Sequence, residues 1–154
     1  MGQVSQHSYD TLLPLKAAAL VASSAAGSLI VNVAPGTLGH KAVVPKIEAD
    51  LVIDVTALEI ASNDEIYDII LQGSPDAAFG TAGNIQELAA ISLSAKEVKR
   101  SDSDKDDDVG RFILPVRNEF GGTTYQYLRI YTVVAGTIAT GINYSAYLGM
   151  RSVL

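Results

Sequence analysis

The residue types in this chain that could do chemistry are mainly carboxylates, and the densest group is the acidic segment SDSDKDDDVG. Hard cations such as Ca²⁺ bind carboxylate oxygens at alternating positions of a loop. If Asp104 is taken as the first residue of an EF-hand loop, Asp106 and Asp108 match. However, a valine and a proline stand where that loop needs glycine and a bidentate glutamate. We therefore predict no metal site, and instead a solvated, mobile acidic loop over residues 96–110 in which like charges repel one another.

A second pair of carboxylates, Asp50 and Asp54, shares one face of the alternating segment Ala49–Leu58. Paired carboxylates act as general acid and base in glycosidases, but they need a cleft and a raised pKa on one member. A polar outer strand face explains this pair better. The two histidines, His7 and His40, lie in the amino-terminal segment and in a glycine-rich loop, with no serine elbow or cysteine to activate. We predict that the chain is not an enzyme and has no catalytic residue and no cofactor.

The remaining chemistry is that of recognition, and it is concentrated in TYQYLRIYTVVA, Thr124–Ala135. If this segment is one strand, alternate side chains point to opposite faces. The face that suits a core consists of Leu128, Ile130, Thr132 and Val134. The other face, which we call the tyrosine–arginine stripe, consists of Tyr125, Tyr127, Arg129 and Tyr131, followed by Val133. Tyr and Arg are enriched at protein contacts, so the stripe is a candidate interface. Packing of a second sheet over the stripe, inside a core, explains the pattern equally well.

The energy that the stripe can supply limits what it can hold. Burial of about 100 Å² on each of three tyrosines gives roughly 7 kcal/mol at about 25 cal/mol/Å². Association costs about 4 to 15 kcal/mol before any net affinity appears. Firm attachment therefore requires a larger oligomer interface, or many contacts that act together on a lattice.

The composition narrows the class of partner. The chain has 154 residues, which is enough for one domain. Charged residues make up 18% of it, below the roughly 25% of typical soluble domains, so we expect other subunits to cover part of its surface. A net charge of -6 argues against nucleic acid as a partner, because phosphate binding needs clustered Lys and Arg. The charge-free stretch Ala17–Ala34 is interrupted by serines, a glycine and an asparagine, so we predict strands there and no membrane partner.

The elements that must position these residues are strands, because alternating segments recur at fairly even spacing with turn residues between them. The segments are 17–22, 28–33, 49–58, 66–71, 90–94, 111–116, 124–134 and 141–148. We expect 66–71 to return as the hairpin partner of 49–58, while 85–95 is open between strand and a short helix that leads into one. About eight strands with little helix predict an all-β fold, an antiparallel β-sandwich of the jelly-roll type with long loops. We assign residues 16–154 to this domain and residues 1–15 to a flexible amino-terminal arm.

Three stretches, with a weaker one near the amino terminus, carry a resemblance to a known family. They are IYDIILQGSPDAAFG at Ile66–Gly80, RFILPVRNEFGGTTYQYLRIYTVVAGT at Arg111–Thr137 and GINYSAYLG at Gly141–Gly149, with SAAGSLIVNVAPG as the weaker one. In pattern and order the chain resembles the small jelly-roll cement, or decoration, proteins that bind the outside of tailed-phage capsids. The resemblance implies a structural virion protein that is made in the bacterial host cytoplasm and lies on the capsid exterior. It also implies a homo-oligomer, a dimer or trimer, that bridges major capsid proteins and stabilises the shell.

A different class of function stays open beside this one. The chain could be a jelly-roll carbohydrate-binding or receptor-binding module of a phage tail or fibre. Sugars stack on flat, exposed aromatic faces, and Tyr125, Tyr127 and Tyr131 would supply such a platform.

Overall fold

The structure, a computed structural model, describes residues 9–38, 41–99 and 105–151. Strands dominate these ranges, and the helical content within them is one short 3-10 turn at Lys96–Val98. The strands in chain order are β1 (Tyr9–Val21), β2 (Ala25–Ala26), β3 (Val31–Asn32), β4 (Gly36–Leu38), β5 (Lys41–Val43), β6 (Glu48–Leu58), β7 (Ile66–Ser74), β8 (Gln86–Ser94), β9 (Gly110–Arg117), β10 (Glu119–Phe120), β11 (Thr123–Thr124), β12 (Tyr127–Ala135) and β13 (Ile142–Arg151). The fold is therefore all-β, as the sequence predicts.

The long strands form two antiparallel sheets. The first sheet has the order β1-β13-β6-β9, and the second has the order β2-β12-β7-β8, with β3 also paired to β12. The pairs β4–β5 and β10–β11 form two small ribbons. Apolar side chains of both main sheets meet in one core. The predicted antiparallel β-sandwich is thus confirmed at the level of a sandwich-like fold.

Side-chain alternation along the strands builds this core. In β6, Leu51, Ile53 and Val55 point inward and are buried. Thr132 Oγ1 of β12 and Tyr144 OH of β13 lie 2.6 Å apart, so one hydrogen bond joins the two sheets through the core. Burial raises the pKa of Tyr144 to about 12, which keeps the phenol neutral at physiological pH.

The amino-terminal arm is shorter than predicted. β1 begins at Tyr9, so residues 9–15 belong to the sandwich, while residues 1–8 lie outside the described residues. Pro14 does not interrupt β1, because β1 is the edge strand of the first sheet and proline is tolerated in edge strands. Leu15 is completely buried and fixes this strand to the core.

The predicted hairpin between segments 49–58 and 66–71 is wrong, because β6 and β7 lie in different sheets. The connection over residues 59–65 crosses from one sheet to the other. Glu65 is buried in it and accepts hydrogen bonds from the backbone N–H groups of Ser62 (2.6 Å) and Asp64 (3.1 Å). These two hydrogen bonds satisfy backbone N–H groups of the connection, which crosses between the sheets without forming a hairpin.

Two other segments differ from expectation. The helical alternative for residues 85–95 is wrong, since β8 is a strand that pairs with β7 along its whole length. Of the strand expected at residues 28–33 only the short strand β3 forms, and a second short strand, β2, precedes these residues; both pair with β12. Between them the N–H of Gly27 donates to the carbonyl of Ile130 (2.8 Å), which keeps the connection close to β12.

Candidate interaction surface

β12 lies inside the second sheet, and its two faces differ as the alternation predicts. Leu128, Ile130 and Thr132 are buried in the sandwich. The residues between them are half-buried and lie outside the core cluster. They are Tyr127, Arg129 and Tyr131, which we call the outer tyrosine–arginine face. An internal sheet contact therefore does not explain these three residues, because the opposite face of β12 makes that contact.

The fourth residue of the stripe, Tyr125, lies elsewhere. β12 begins only at Tyr127, so Thr124–Ala135 is not one strand. The N–H of Tyr125 donates to the carbonyl of Asn118 (2.7 Å), and the Asn118 amide donates back to the carbonyl of Tyr125 (3.1 Å). The Tyr125 side chain then packs on the core side of β7, where a Cβ atom added to Gly73 would lie 2.8 Å from the Tyr125 Cβ. The structure thus brings three of the four candidate residues together and separates Tyr125 from them.

Arg129 is the centre of the outer tyrosine–arginine face. Its guanidinium carbon lies 4.2 Å from the centroid of the Phe79 ring and 5.6 Å from that of Tyr131. Its Nε donates to Oε1 of Gln72 on β7 (2.9 Å). Burial lowers the pKa of Arg129, with an opposing effect of Tyr131. Among the described residues Arg129 makes no ion pair, and the hydrogen bond to Gln72 is the one that its guanidinium forms.

Phe79 was missed by the sequence analysis, which names no candidate residue between the segments 66–71 and 90–94. The loop that contains Phe79 folds back over the outer face of the second sheet, and Phe79 is only 7% exposed. Asp76 organises the turn: its N–H donates to Ser74 Oγ (3.0 Å), and its carboxylate accepts the N–H of Ala78 (3.0 Å). A lone aromatic residue after Ser-Pro-Asp turn chemistry is the sequence signal that could have indicated this contact.

The acidic segment is tied to the sandwich where the structure describes it. Asp107 accepts the N–H of Ser94 (2.8 Å) and pairs with Lys99 Nζ (2.9 Å), while Asp106 accepts a backbone N–H of the 3-10 turn (2.8 Å). These two carboxylates are therefore held by hydrogen bonds and an ion pair within a segment for which the sequence predicts a solvated loop. They hold the carboxyl-terminal end of β8, the edge strand, and do not converge on a common point.

No group of three or more His, Cys, Asp or Glu residues within 9–38, 41–99 and 105–151 is arranged to hold a metal ion. Asp104, His7 and His40 lie outside these ranges. Mobility of the loop over residues 96–110 stays a prediction.

Asp50 and Asp54 share the outer face of β6, as predicted, but they have different environments. Asp54 forms a bidentate ion pair with Arg111 of β9, at 2.6 and 3.0 Å. Asp50 is completely buried, between its strand neighbours Gly149 and Pro115. The outer face of β6 is therefore polar at both positions, as predicted, but it is shielded from water at Asp50, whereas Asp54 stays partly exposed.

A buried cation in β1 was also missed. Lys16 is 7% exposed, and its ammonium donates to the carbonyls of Ala17 (3.1 Å), Ala19 (2.9 Å) and Tyr144 (2.8 Å). It also lies 4.3 Å from the centroid of the Tyr144 ring. Burial lowers the pKa of Lys16. All three ammonium protons are engaged, so Lys16 fixes the irregular end of β1 and offers no donor to a ligand.

Comparison with known proteins gives no relative: no family model, no curated protein and no solved structure matches the chain. The described residues include no helix of the length and hydrophobicity that a membrane crossing requires.

Proposed function

We propose that this chain is a structural virion protein, a capsid cement or decoration subunit that binds the outer surface of a tailed-phage capsid and stabilises it by bridging major capsid proteins. The observation that carries the proposal is the outer tyrosine–arginine face, a surface suited to the protein–protein contacts through which a cement subunit assembles. It places two tyrosines around a half-buried arginine that has no ion pair among the described residues. Such residues form the centres of protein interfaces.

The strand order supports the finer assignment to the jelly-roll type. If β2 and β3 count as one strand, the long strands number eight in chain order, with the small ribbons left out. The first sheet then has the order 1-8-3-6 and the second 2-7-4-5. This is the order of two interlocked Greek keys, the arrangement of the jelly rolls that the chain resembles.

The charge supports a position on the capsid exterior. A net charge of -6 gives the subunit no attraction to packaged DNA, and electrostatic repulsion from it disfavours an interior position. Two of the three stretches that carry the family resemblance also include residues of the surface described above: Gln72 and Phe79 in one, and Arg129 in the other.

The carbohydrate-binding alternative is less well supported by the geometry. It requires a flat platform of three tyrosines, but Tyr125 lies on the core side of β7. Arg129 lies between the remaining Tyr127 and Tyr131 on the same face, and its guanidinium stacks on Phe79. A cation between two separate aromatic rings is better suited to contact with a protein than to the stacking of a sugar ring.

The proposal is tested by the copy number of the protein in purified particles of the phage that encodes it. Quantitative mass spectrometry is expected to find many copies in a fixed ratio to the major capsid protein, and purified protein is expected to bind expanded shells that lack it. A handful of copies per particle would indicate a tail component instead. Absence from particles, together with no binding to shells, would overturn the proposal.

A further inference from the structure

The outer face of the second sheet carries a second unpaired charge besides Arg129. Asp68 lies on β7 and is half-buried, between the core residues Tyr67 and Ile69. Asp68 shares the outer face with Arg129. The cross-strand neighbour of Arg129 is Gln72, which lies four residues after Asp68 on β7, and residues an even number apart on a strand point to the same face. Within the part of the chain that the structure describes, Asp68 forms no salt bridge.

Asp68 and Arg129 cannot neutralise each other within one subunit. Four residues of a strand span about 13 Å, at about 3.3 Å per residue, whereas an ion pair needs about 4 Å. The cross-strand pair of Tyr131 and Ile70 lies midway between the two charges. Ile70 is 7% exposed yet is not part of the sandwich core, so it lies beneath the outer surface of the sheet.

On β12 and β7 the face is therefore an apolar centre with Arg129 at one end and Asp68 at the other. Glu87 of β8, the cross-strand neighbour of Gln72, adds an exposed carboxylate at the lateral edge of the Arg129 end. From the Arg129 end to the Asp68 end, the cross-strand pairs are Arg129 with Gln72, Tyr131 with Ile70, and Val133 with Asp68. Each charge lies one pair away from the Tyr131–Ile70 pair, on opposite sides of it. A surface with this pattern is complementary to a second copy of itself.

We propose that two copies of this chain pack through the outer faces of their second sheets, around a two-fold axis that crosses the strands at the Tyr131–Ile70 pair. This axis places Arg129 of each copy opposite Asp68 of the other, so the interface contains two equivalent ion pairs. Because Arg129 lies on β12 and Asp68 on β7, the axis is tilted from the normal to the strands, and the strands of the two copies cross obliquely. Oblique crossing of this kind is usual where twisted sheets pack face to face.

The local structure prepares Arg129 for this role. Stacking on Phe79 and the hydrogen bond to Gln72 hold the guanidinium in one place, which reduces the side-chain entropy lost on association. The terminal nitrogens remain available to a carboxylate of the second copy. This inference rests on the proposed function only for the expectation that the chain assembles through protein–protein contacts; the choice of a second copy follows from the charge pattern of the face.

The test is a charge exchange, measured by sedimentation equilibrium of the full chain. Arg129→Asp and Asp68→Arg each replace two attractive contacts by two repulsive ones, and each is expected to weaken dimerisation by about 100-fold. The double variant, which restores both pairs in reversed order, is expected to recover most of the affinity. Arg117→Asp is the matched control, because Arg117 pairs with Glu48 on the first sheet and its side chain is 67% exposed. It is expected to leave the dimer unchanged.

The milder variants Arg129→Gln and Asp68→Asn keep the test decisive if a charge reversal prevents folding. Each is expected to weaken the dimer by about tenfold, with circular dichroism as the check on folding. A monomeric wild-type protein at high concentration, a trimer, or a double variant no better than the single ones would overturn the inference. Binding to shells is measured separately. A wild-type dimer that has no affinity for shells and is absent from particles would refute the proposed function and leave this inference standing.

Discussion

Substitution of Asn118 by alanine is expected to remove the main polar attachment of the segment that leads into β12. Asn118 is completely buried. Its Oδ1 accepts the N–H of Ile47 (2.8 Å), and its Nδ2 donates to the carbonyls of Pro45 (2.9 Å) and Tyr125 (3.1 Å). One amide therefore joins three separate segments of the chain. Its loss leaves three backbone groups without partners in a place that water reaches poorly.

The expected cost follows from these three bonds. At about 1 kcal/mol net for each hydrogen bond, Asn118→Ala should lower the free energy of unfolding by about 3 kcal/mol. For a domain of this size that corresponds to a fall in Tm of about 6 to 12 °C. Since total stabilities are about 5 to 15 kcal/mol, the variant should still fold.

The measurement is thermal and urea unfolding followed by circular dichroism, with Asn32→Ala as the control. Asn32 is exposed, and its side chain accepts one hydrogen bond, from Gln126 (3.1 Å). Its replacement should change the free energy of unfolding by less than about 0.5 kcal/mol. A loss below about 1 kcal/mol for Asn118→Ala would refute the reasoning, because it would show that the buried amide does not hold these segments together.

Three further predictions concern the connection between β12 and β13 and the two faces of β12. Gly141→Ala should destabilise the fold by at least about 2 kcal/mol more than Gly122→Ala in urea unfolding. Both glycines have positive φ, but only at Gly141 would the new Cβ collide with backbone, at the carbonyl oxygen of Val21 in β1. Backbone N–H groups, that of Gly141 foremost, hold the pKa of Glu59 below its ordinary value of 4.5, so the stabilisation by Glu59 is present above that pH and is lost as pH falls through the lowered pKa. The difference in urea midpoint between wild type and Glu59→Gln should therefore shrink on acidification. On β12 itself, Leu128→Ala should lower the free energy of unfolding by about 2 to 5 kcal/mol, because Leu128 is on the core face. Tyr131→Ser, on the outer face, should mainly abolish dimerisation in sedimentation equilibrium. Equal losses of stability in the two variants would contradict the assignment of the two faces.

Local alternation was sufficient to predict the strands that build the core. β6 follows the predicted segment closely because every second residue is apolar, and the same period separates Leu128 from Arg129 on β12. The pairing of strands could not be predicted from local alternation. A turn such as Ser62–Asp64 suits a hairpin equally well, yet the chain crosses to the other sheet at this point. Which sheet receives a strand is decided by contacts far apart in sequence.

The candidate surface was predictable in part for the same reason. Tyr127, Arg129 and Tyr131 share a face because they share a strand. Tyr125 departs from it because Asn118, seven residues earlier, holds its backbone at both the N–H and the carbonyl. Phe79 reaches Arg129 only through the folding of a long loop, for which the period of the sequence carries no information.

Occupation of the outer tyrosine–arginine face by a second copy has a consequence for how a shell would be bound. The face can hold one partner, so contacts with capsid proteins must use other surfaces of the subunit. In a two-fold dimer the outer faces of the two first sheets point in opposite directions, and every loop occurs twice. Two weak contacts related by the two-fold axis then act as one bivalent attachment, whose strength depends on the distance between the capsid sites it spans. Dimerisation would thus convert marginal patches of the kind seen on β12 into firm binding, and a monomeric variant should lose shell binding even where its capsid-facing residues are intact.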